Sequence, residues 1–186
     1  MVGLTSFTFK EAMMTAFDDA MQETLAHEGG DYHPKPGAAD QNPTRKGITQ
    51  NTFDSYRTRL GLPTYSVFEM DDTDVYDIYR TYWDSAHCEE LPYLVALSCF
   101  DMSINAGPSR AIKTFQQAAG FTGPDVDGVW GPKTRDAAYH ARQDEVRWAH
   151  RIQTERMAFY THIADDLNNF KSWISRLTQF NKKFLS

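Results

Sequence analysis

The stretch Leu91–Asn105, LPYLVALSCFDMSIN, is apolar on nearly every side when wound as an α-helix. Pro92 opens it, because a helix needs no backbone N–H in its first turn and the proline ring already holds φ near the helical value. Gly107 and Pro108 close it. A helix without a polar face belongs in the middle of a protein, with other helices laid over it. Two polar side chains interrupt the run: Asp101 and Asn105, four positions apart, share one face and point together, either into a cleft or into a buried polar network.

Helical periodicity continues outward in both directions. Upstream, Met13, Phe17, Met21 and Leu25 recur every four positions from Phe9, one apolar stripe that Gly29 and Gly30 bring to an end. Thr49 or Asn51 caps a second segment with Phe53, Tyr56 and Leu60 on one face, halted by Gly61 and Pro63. A third runs from Asp72 through Val75, Ile78, Tyr79, Tyr82 and Trp83. Downstream, a helix spans Ser109 to Ala119, a turn-rich loop reads GFTGPDVDGVWGPKT, and a long charged helix extends from Thr134 to Asp165 with a break near Asn168. Trp173, Leu177, Phe180 and Phe184 mark a last amphipathic helix. Between Asp31 and Lys46, Pro34, Pro36, Gly37, Asn42 and Pro43 forbid long regular structure. Strand-like alternation is nearly absent and no repeat is visible, so the fold class is all-α, with one short β-hairpin in the loop after Glu28.

At 186 residues the chain buries a core without staples, as one compact domain or a closely packed pair of lobes. A formal charge of −6 argues against nucleic acid as a partner, since that needs a basic face. Cys88 and Cys99 fit neither a zinc pattern nor a disulfide framework and read as free thiols of a reducing compartment. The six histidines are scattered, none in an HExxH arrangement, so neither a metal nor a cofactor is expected. Asp125 and Asp127 before Gly128 read as a turn, because the remaining ligand positions of a calcium loop are missing. The first residues hold no unbroken apolar run, so neither a signal peptide nor a membrane span is expected there.

Glu28 follows Leu25 by three residues and Met21 by seven, which puts it on the buried stripe rather than the wet face. It also falls at the helix C-terminus, where the macrodipole disfavours further negative charge, and partial desolvation acts in the same direction. Both effects raise the carboxyl pKa, the property that glycoside hydrolysis needs in the group that protonates the departing sugar oxygen. Position alone leaves a second reading open, a glutamate that merely ends a helix at its exposed tip.

The segment LAHEGGDYHP, followed by TRKGIT, resembles the opening signature of glycoside hydrolase family 108, N-acetylmuramidases in which the glutamate of a Glu-Gly-Gly-Tyr motif is catalytic. IYRTYWD at Ile78–Asp84, Leu91 with Pro92, FDMSINAGPSRAIKTFQ from Phe100, DGVWGPKT from Asp127, ERMAFY from Glu155 and KSWISRL from Lys171 follow in the same order. The resemblance therefore covers Thr24 to Leu177. Two departures stand out: Asp31 is inserted between Gly30 and Tyr32, and the usual glycine pair before the threonine reads Gln41, Asn42, Pro43. The resemblance implies a lysozyme-like helical fold, with a catalytic lobe at 1–95 that holds Glu28 and a helical lobe at 96–186 similar to a peptidoglycan-binding segment, packed as one body.

It further implies peptidoglycan glycan strands as the partner, and hydrolysis of the MurNAc–GlcNAc β-1,4 bond with Glu28 as general acid; a monomer is expected. Glu28, Asp40 and Thr44 before Gly47 are similar in order to the glutamate, aspartate and threonine of phage-type lysozymes. That gives Thr44 a water or substrate hydroxyl to hold, and Asp40 the role of base, with Asp31 as its rival. Tyr32, Tyr79, Tyr82 and Trp83 are candidates to stack on sugar faces, against a packing role at helical spacing. The resemblance also turns Asp101 and Asn105 toward the cleft. Lys171, Arg176, Lys182 and Lys183 give the last helix a basic face, for weak contact with an anionic envelope or simply for solvent. The expected role is that of a phage endolysin made in the cytoplasm and released to the wall by a holin. A bacterial muramidase that opens the wall for export, a lytic transglycosylase and a catalytically silent wall-binding adaptor are the alternatives.

Overall fold

The computed structural model describes residues 9–27, 30–36, 41–163 and 167–185. Among these residues stand eight α-helices: α1 Phe9–His27, α2 Gln50–Arg59, α3 Asp72–Ser85, α4 Tyr93–Ala106, α5 Pro108–Ala118, α6 Pro132–Ala141, α7 Glu145–Ile163 and α8 Leu167–Phe184. Two short strands, β1 Thr44–Arg45 and β2 Ile48–Thr49, pair antiparallel with Thr44 opposite Thr49 and Arg45 opposite Ile48. The class is all-α and lysozyme-like, and the hairpin falls at the end of the proline-rich loop. Among the described residues no helix is long and apolar enough to cross a membrane.

The chain divides into two compact units, Met21–Thr81 and a helical one made of Met1–Ala20 with Tyr82–Ser186. These do not follow a border at residues 95 and 96, and α4 shows why. Every residue from Val95 to Ser103 is buried, and the helix packs against α5, α7 and the 3-10 turn Cys88–Glu90. A cut at residue 96 would pass through the helix that these others cover. The carboxylate of Glu145, at the start of α7, accepts the N–H of Leu94 at 3.1 Å, so a donor left over in the first turn of α4 is satisfied by the neighbouring helix. At Gly107 φ is 86°, a left-handed backbone that side chains disfavour, and this lets the chain leave α4 and enter α5 directly at Pro108. Around Phe100 of α4, Phe17 and Trp83 complete an aromatic cluster with ring centres 5.4, 5.9 and 5.6 Å apart.

One expectation is corrected here. The stretch from Thr134 to Asp165 is not a single helix, because α6 ends at Ala141 and α7 starts at Glu145. Asp144 makes the break: its carboxylate accepts the N–H of Arg147 at 3.1 Å, an N-cap that restarts the helix. The N–H groups of Arg142 and Gln143 close α6 on the carbonyls of Tyr139 and His140. Neither glycine nor proline stands at the junction, so helical periodicity alone runs straight through it.

Candidate functional site

Backbone pairing organises the loop that follows Glu28. Tyr32 and Thr44 exchange two hydrogen bonds, the N–H of Tyr32 to Thr44 O at 2.7 Å and the N–H of Thr44 to Tyr32 O at 3.1 Å. Residues opposed in this way project their side chains to the same face, so the Tyr32 ring and the Thr44 hydroxyl stand side by side. Lys46 and Gly47 turn the hairpin with φ of 49° and 74°, the left-handed pair that a two-residue hairpin loop demands. Glycine takes that conformation freely, whereas Lys46 is held in it from outside. The buried hydroxyl of Tyr79, on α3, donates to Lys46 O at 2.7 Å, and Lys46 Nζ reaches Asp72 at 2.5 Å. Residues beside Thr44 also cap α2: Pro43 O accepts from Gln50 N–H at 2.8 Å, and the Asn42 side chain accepts from Asn51 N–H at 3.3 Å. Arg45 donates to the carbonyl of Phe68 and lies 3.8 Å from the exposed Asp31, while His33 stacks on Phe68 with ring centres 4.0 Å apart.

Within this frame Thr44 is half-buried and its hydroxyl donates to Asn42 O at 3.1 Å. Its proton is therefore engaged, and toward a ligand it acts as an acceptor. Tyr32 is 40% exposed. Glu28 and Asp40 lie outside the described residues; in the chain, Glu28 directly follows His27, where α1 ends, and precedes Tyr32 by four positions.

The remaining candidates belong to the helical unit. Tyr82 is half-buried on α3. Trp83 is completely buried, its rings packed on Phe17 and Phe100 and its Nε1 donating to Glu89 at 2.9 Å, so it presents no face to a sugar. Asp101 is 5% exposed and sits between two guanidiniums: Arg156, itself buried, donates to one oxygen, and Arg176 donates to the other at 2.7 Å. Burial alone would push the Asp101 carboxyl up, but the two arginines outweigh it and hold the group below the usual aspartate range. Gln153 and Tyr160 also contact Arg156, and Gln153 reaches Ser98 at 3.1 Å. The Asn105 amide turns back to the Asp101 carbonyl at 2.8 Å. Of the two alternatives for this face of α4, the structure has the buried polar network.

That network also corrects the basic face of the last helix. Arg176 points inward to Asp101, leaving Lys171, Lys182 and Lys183 as the exposed cations named for it. Cys88 and Cys99 are buried free thiols, and burial pushes Cys99 up to about 12, far from the thiolate that reacts. Among the described residues, no three His, Cys, Asp or Glu side chains gather closely enough to hold a metal ion.

Two organising residues are not evident from the sequence reading. Tyr79 reads there as a sugar platform or core, and only the left-handed Lys46-Gly47 turn hints that something must hold it. Gln116 on α5 is the other: its amide nitrogen lies within 3.2 Å of Asp127, Val129 O and Thr134, and its oxygen accepts from Gly128 N–H at 2.9 Å. This side chain folds the expected Asp127-Gly128 turn onto α5. At Gly128 φ is 75°, and a Cβ there would stand 2.9 Å from Ser109 O. The repeated glycines of DGVWGPKT were the available signal, but nothing near Gln116 announces its role.

Residues 21–107 match the family described as Glycosyl hydrolase 108, and residues 110–183 match one described as Predicted Peptidoglycan domain. Among solved structures, the chain is similar to SagA of Brucella abortus, at 28% identity and a TM-score of 0.75, over 91% of this chain and 94% of that one. No curated protein matches the chain. A glycoside hydrolase acting on peptidoglycan is the class that these two regions define. Glu28, Tyr32 and Thr44 lie within the region that matches Glycosyl hydrolase 108, and the match described as Predicted Peptidoglycan domain follows it. The first region ends with α4, whose cover, α5 and α7, lies in the second, so the two regions share one helical unit.

Proposed function

We propose that the chain is an N-acetylmuramidase that hydrolyses the MurNAc–GlcNAc β-1,4 bond of peptidoglycan with Glu28 as general acid. The glycosyl hydrolase 108 match across Glu28 carries this reading, and the pairing of Tyr32 with Thr44 supports it by closing the loop that follows the glutamate. Glu28 protonates the leaving oxygen. Thr44 accepts a hydrogen bond from the attacking water or from a sugar hydroxyl, and Asp40 acts as base, with Asp31 as its rival. Tyr32 offers an exposed ring to the weakly apolar C–H face of a pyranose, and Tyr82 a partly exposed one. Trp83, Asp101 and Asn105 carry no substrate contact in this reading.

Glu28→Gln tests it. A suspension of peptidoglycan should lose turbidity with the wild type and hold it with the variant, a fall in rate of about 100-fold or more, while both sediment with the wall. Mass spectrometry of the products separates the chemistries: reducing ends fit hydrolysis, and anhydro sugars would replace it by lytic transglycosylation. An inactive wild type that still binds walls would leave only an adaptor.

For the biological role we retain the endolysin, delivered to the wall by a holin. Similarity over nearly the full length to a protein of Brucella abortus favours a second reading, a bacterial muramidase working on the wall of its own cell. Expression inside a bacterium separates them: an endolysin lyses the culture as soon as the inner membrane is permeabilised, and a muramidase for local opening leaves most cells intact.

A further inference from the structure

Within the predicted peptidoglycan domain, a groove of about 290 Å³ opens between the end of α5, one face of α6 and the start of α7. Phe121, Ala137 and Trp148 give it an apolar lining, and Lys133, Asp136 and His140 bring charge to it. Lys133, Asp136, Ala137 and His140 are spaced by three, one and three along α6, which is a single helix face. Trp148 is braced from behind by Phe115, with ring centres 5.5 Å apart, so the aromatic wall is ordered before any ligand arrives. The charges at the groove are already paired, but in solvent. Lys133 meets Asp125 at 2.9 Å and Asp136 meets His140 at 3.6 Å, with every one of these side chains more than half exposed. Pairs of this kind contribute little and exchange readily for a competing charge.

A cation and a carboxylate about one helical turn apart, beside an apolar floor, complement a short peptide that carries both an ammonium and a carboxylate on aliphatic carbons. A neutral sugar chain would offer these two groups hydroxyls but no opposite charge. The volume lies at the small end for a ligand site, enough for one or two residues rather than a length of glycan.

We propose that this groove binds the peptide stem of peptidoglycan, with Lys133 taking a stem carboxylate, Asp136 a stem ammonium, and Phe121 with Trp148 the aliphatic carbons between them. The inference rests on peptidoglycan as the substrate and adds the part of the polymer that is recognised away from the bond to be cut. Gripping a stem would keep the enzyme on the wall between cleavages by raising its effective concentration there.

The test titrates the full chain with a synthetic stem tetrapeptide that lacks sugar and, separately, with a chitin oligosaccharide that lacks peptide. Saturable binding of the tetrapeptide is expected, weakened about tenfold by Lys133→Glu and by Asp136→Lys, with oligosaccharide binding the same in all three proteins. Both positions are exposed on a helix, and circular dichroism with Tm confirms that the variants fold. No tetrapeptide binding by the wild type overturns the proposal, as does equal tetrapeptide affinity in the three proteins or a loss confined to the oligosaccharide. Wall clearing by the same wild-type preparation separates the two readings: clearing without tetrapeptide binding removes the stem site alone, and no clearing removes the muramidase itself.

Discussion

In residues Met21–Thr81 the elements are short and are tied together mainly by polar groups, one bond at a time. Asn42 and Pro43 cap α2, Tyr79 and Asp72 hold the hairpin turn, and the Gln50 side chain links Tyr65 O at 2.8 Å with Val67 N–H at 2.7 Å. In the helical unit, by contrast, α4 buries nine consecutive residues and other helices close over them. The difference follows from the backbone. A helix satisfies its own N–H and C=O groups and needs only an apolar face, whereas an irregular loop must find each partner separately. Such a loop can place catalytic groups at angles that regular structure does not offer, and it depends on a few individual bonds. Removing one polar partner should therefore act locally in Met21–Thr81 and globally where that partner lies in the helical core.

Asp101→Ala is the largest test of this contrast. It leaves the buried Arg156 without its carboxylate, which should cost about 3–5 kcal/mol in urea unfolding; a loss too small to measure would mean that the network does not lie in the core. Acid gives a second reading of the same group. Its folded pKa is lowered, so its stabilisation is present above the unfolded value and disappears as pH falls through the folded one. Wild-type stability should thus decline more steeply below the ordinary aspartate range than that of Asp101→Asn, and parallel curves would contradict the pairing. Gly128→Ala comes next, at about 1–3 kcal/mol, because a left-handed φ and the close Ser109 carbonyl both oppose the new methyl.

Tyr79→Phe should cost only about 1 kcal/mol. Its sharper signature is local: kcat several-fold lower with KM unchanged, and faster amide exchange at Lys46–Thr49 with α4 still protected. Slower catalysis accompanied by equal loss of protection in α4 would erase the contrast between the units. Asp72→Asn, which removes a fully exposed partner of Lys46, should leave Tm unmoved at physiological salt.

The helices were legible because burial imposes a period. Phe17, Phe53, Ile78, Phe100 and Leu177 all occupy the buried positions that their spacing assigns. What periodicity does not carry is which polar group meets which. Asp144 as an N-cap inside a charged run, Arg176 turning inward on an otherwise basic face, and Gln116 reaching across to Asp127 are each set by a partner distant in the chain or by one hydrogen bond. For the same reason Trp83 and Asp101 read as binding residues. An aromatic ring or a carboxylate on a helix looks alike in sequence whether it faces a groove or a core, and only the arginines from α7 and α8 settle it for Asp101. In the hairpin, the prolines and the Lys46-Gly47 pair announced a turn, while the rung between Tyr32 and Thr44 depends on a closure no local pattern encodes.

The helical unit is discontinuous in the chain, with Phe17 in its first piece and Trp83 and Phe100 in the second. On the ribosome the Phe17 ring emerges early and waits uncovered, while the residues that complete Met21–Thr81 follow at once. Assembly in order of synthesis therefore favours the hairpin segment first. Until α5 and then α7 arrive, α4 is a nascent greasy rod without its helical cover, the interval in which a chaperone has most to hold.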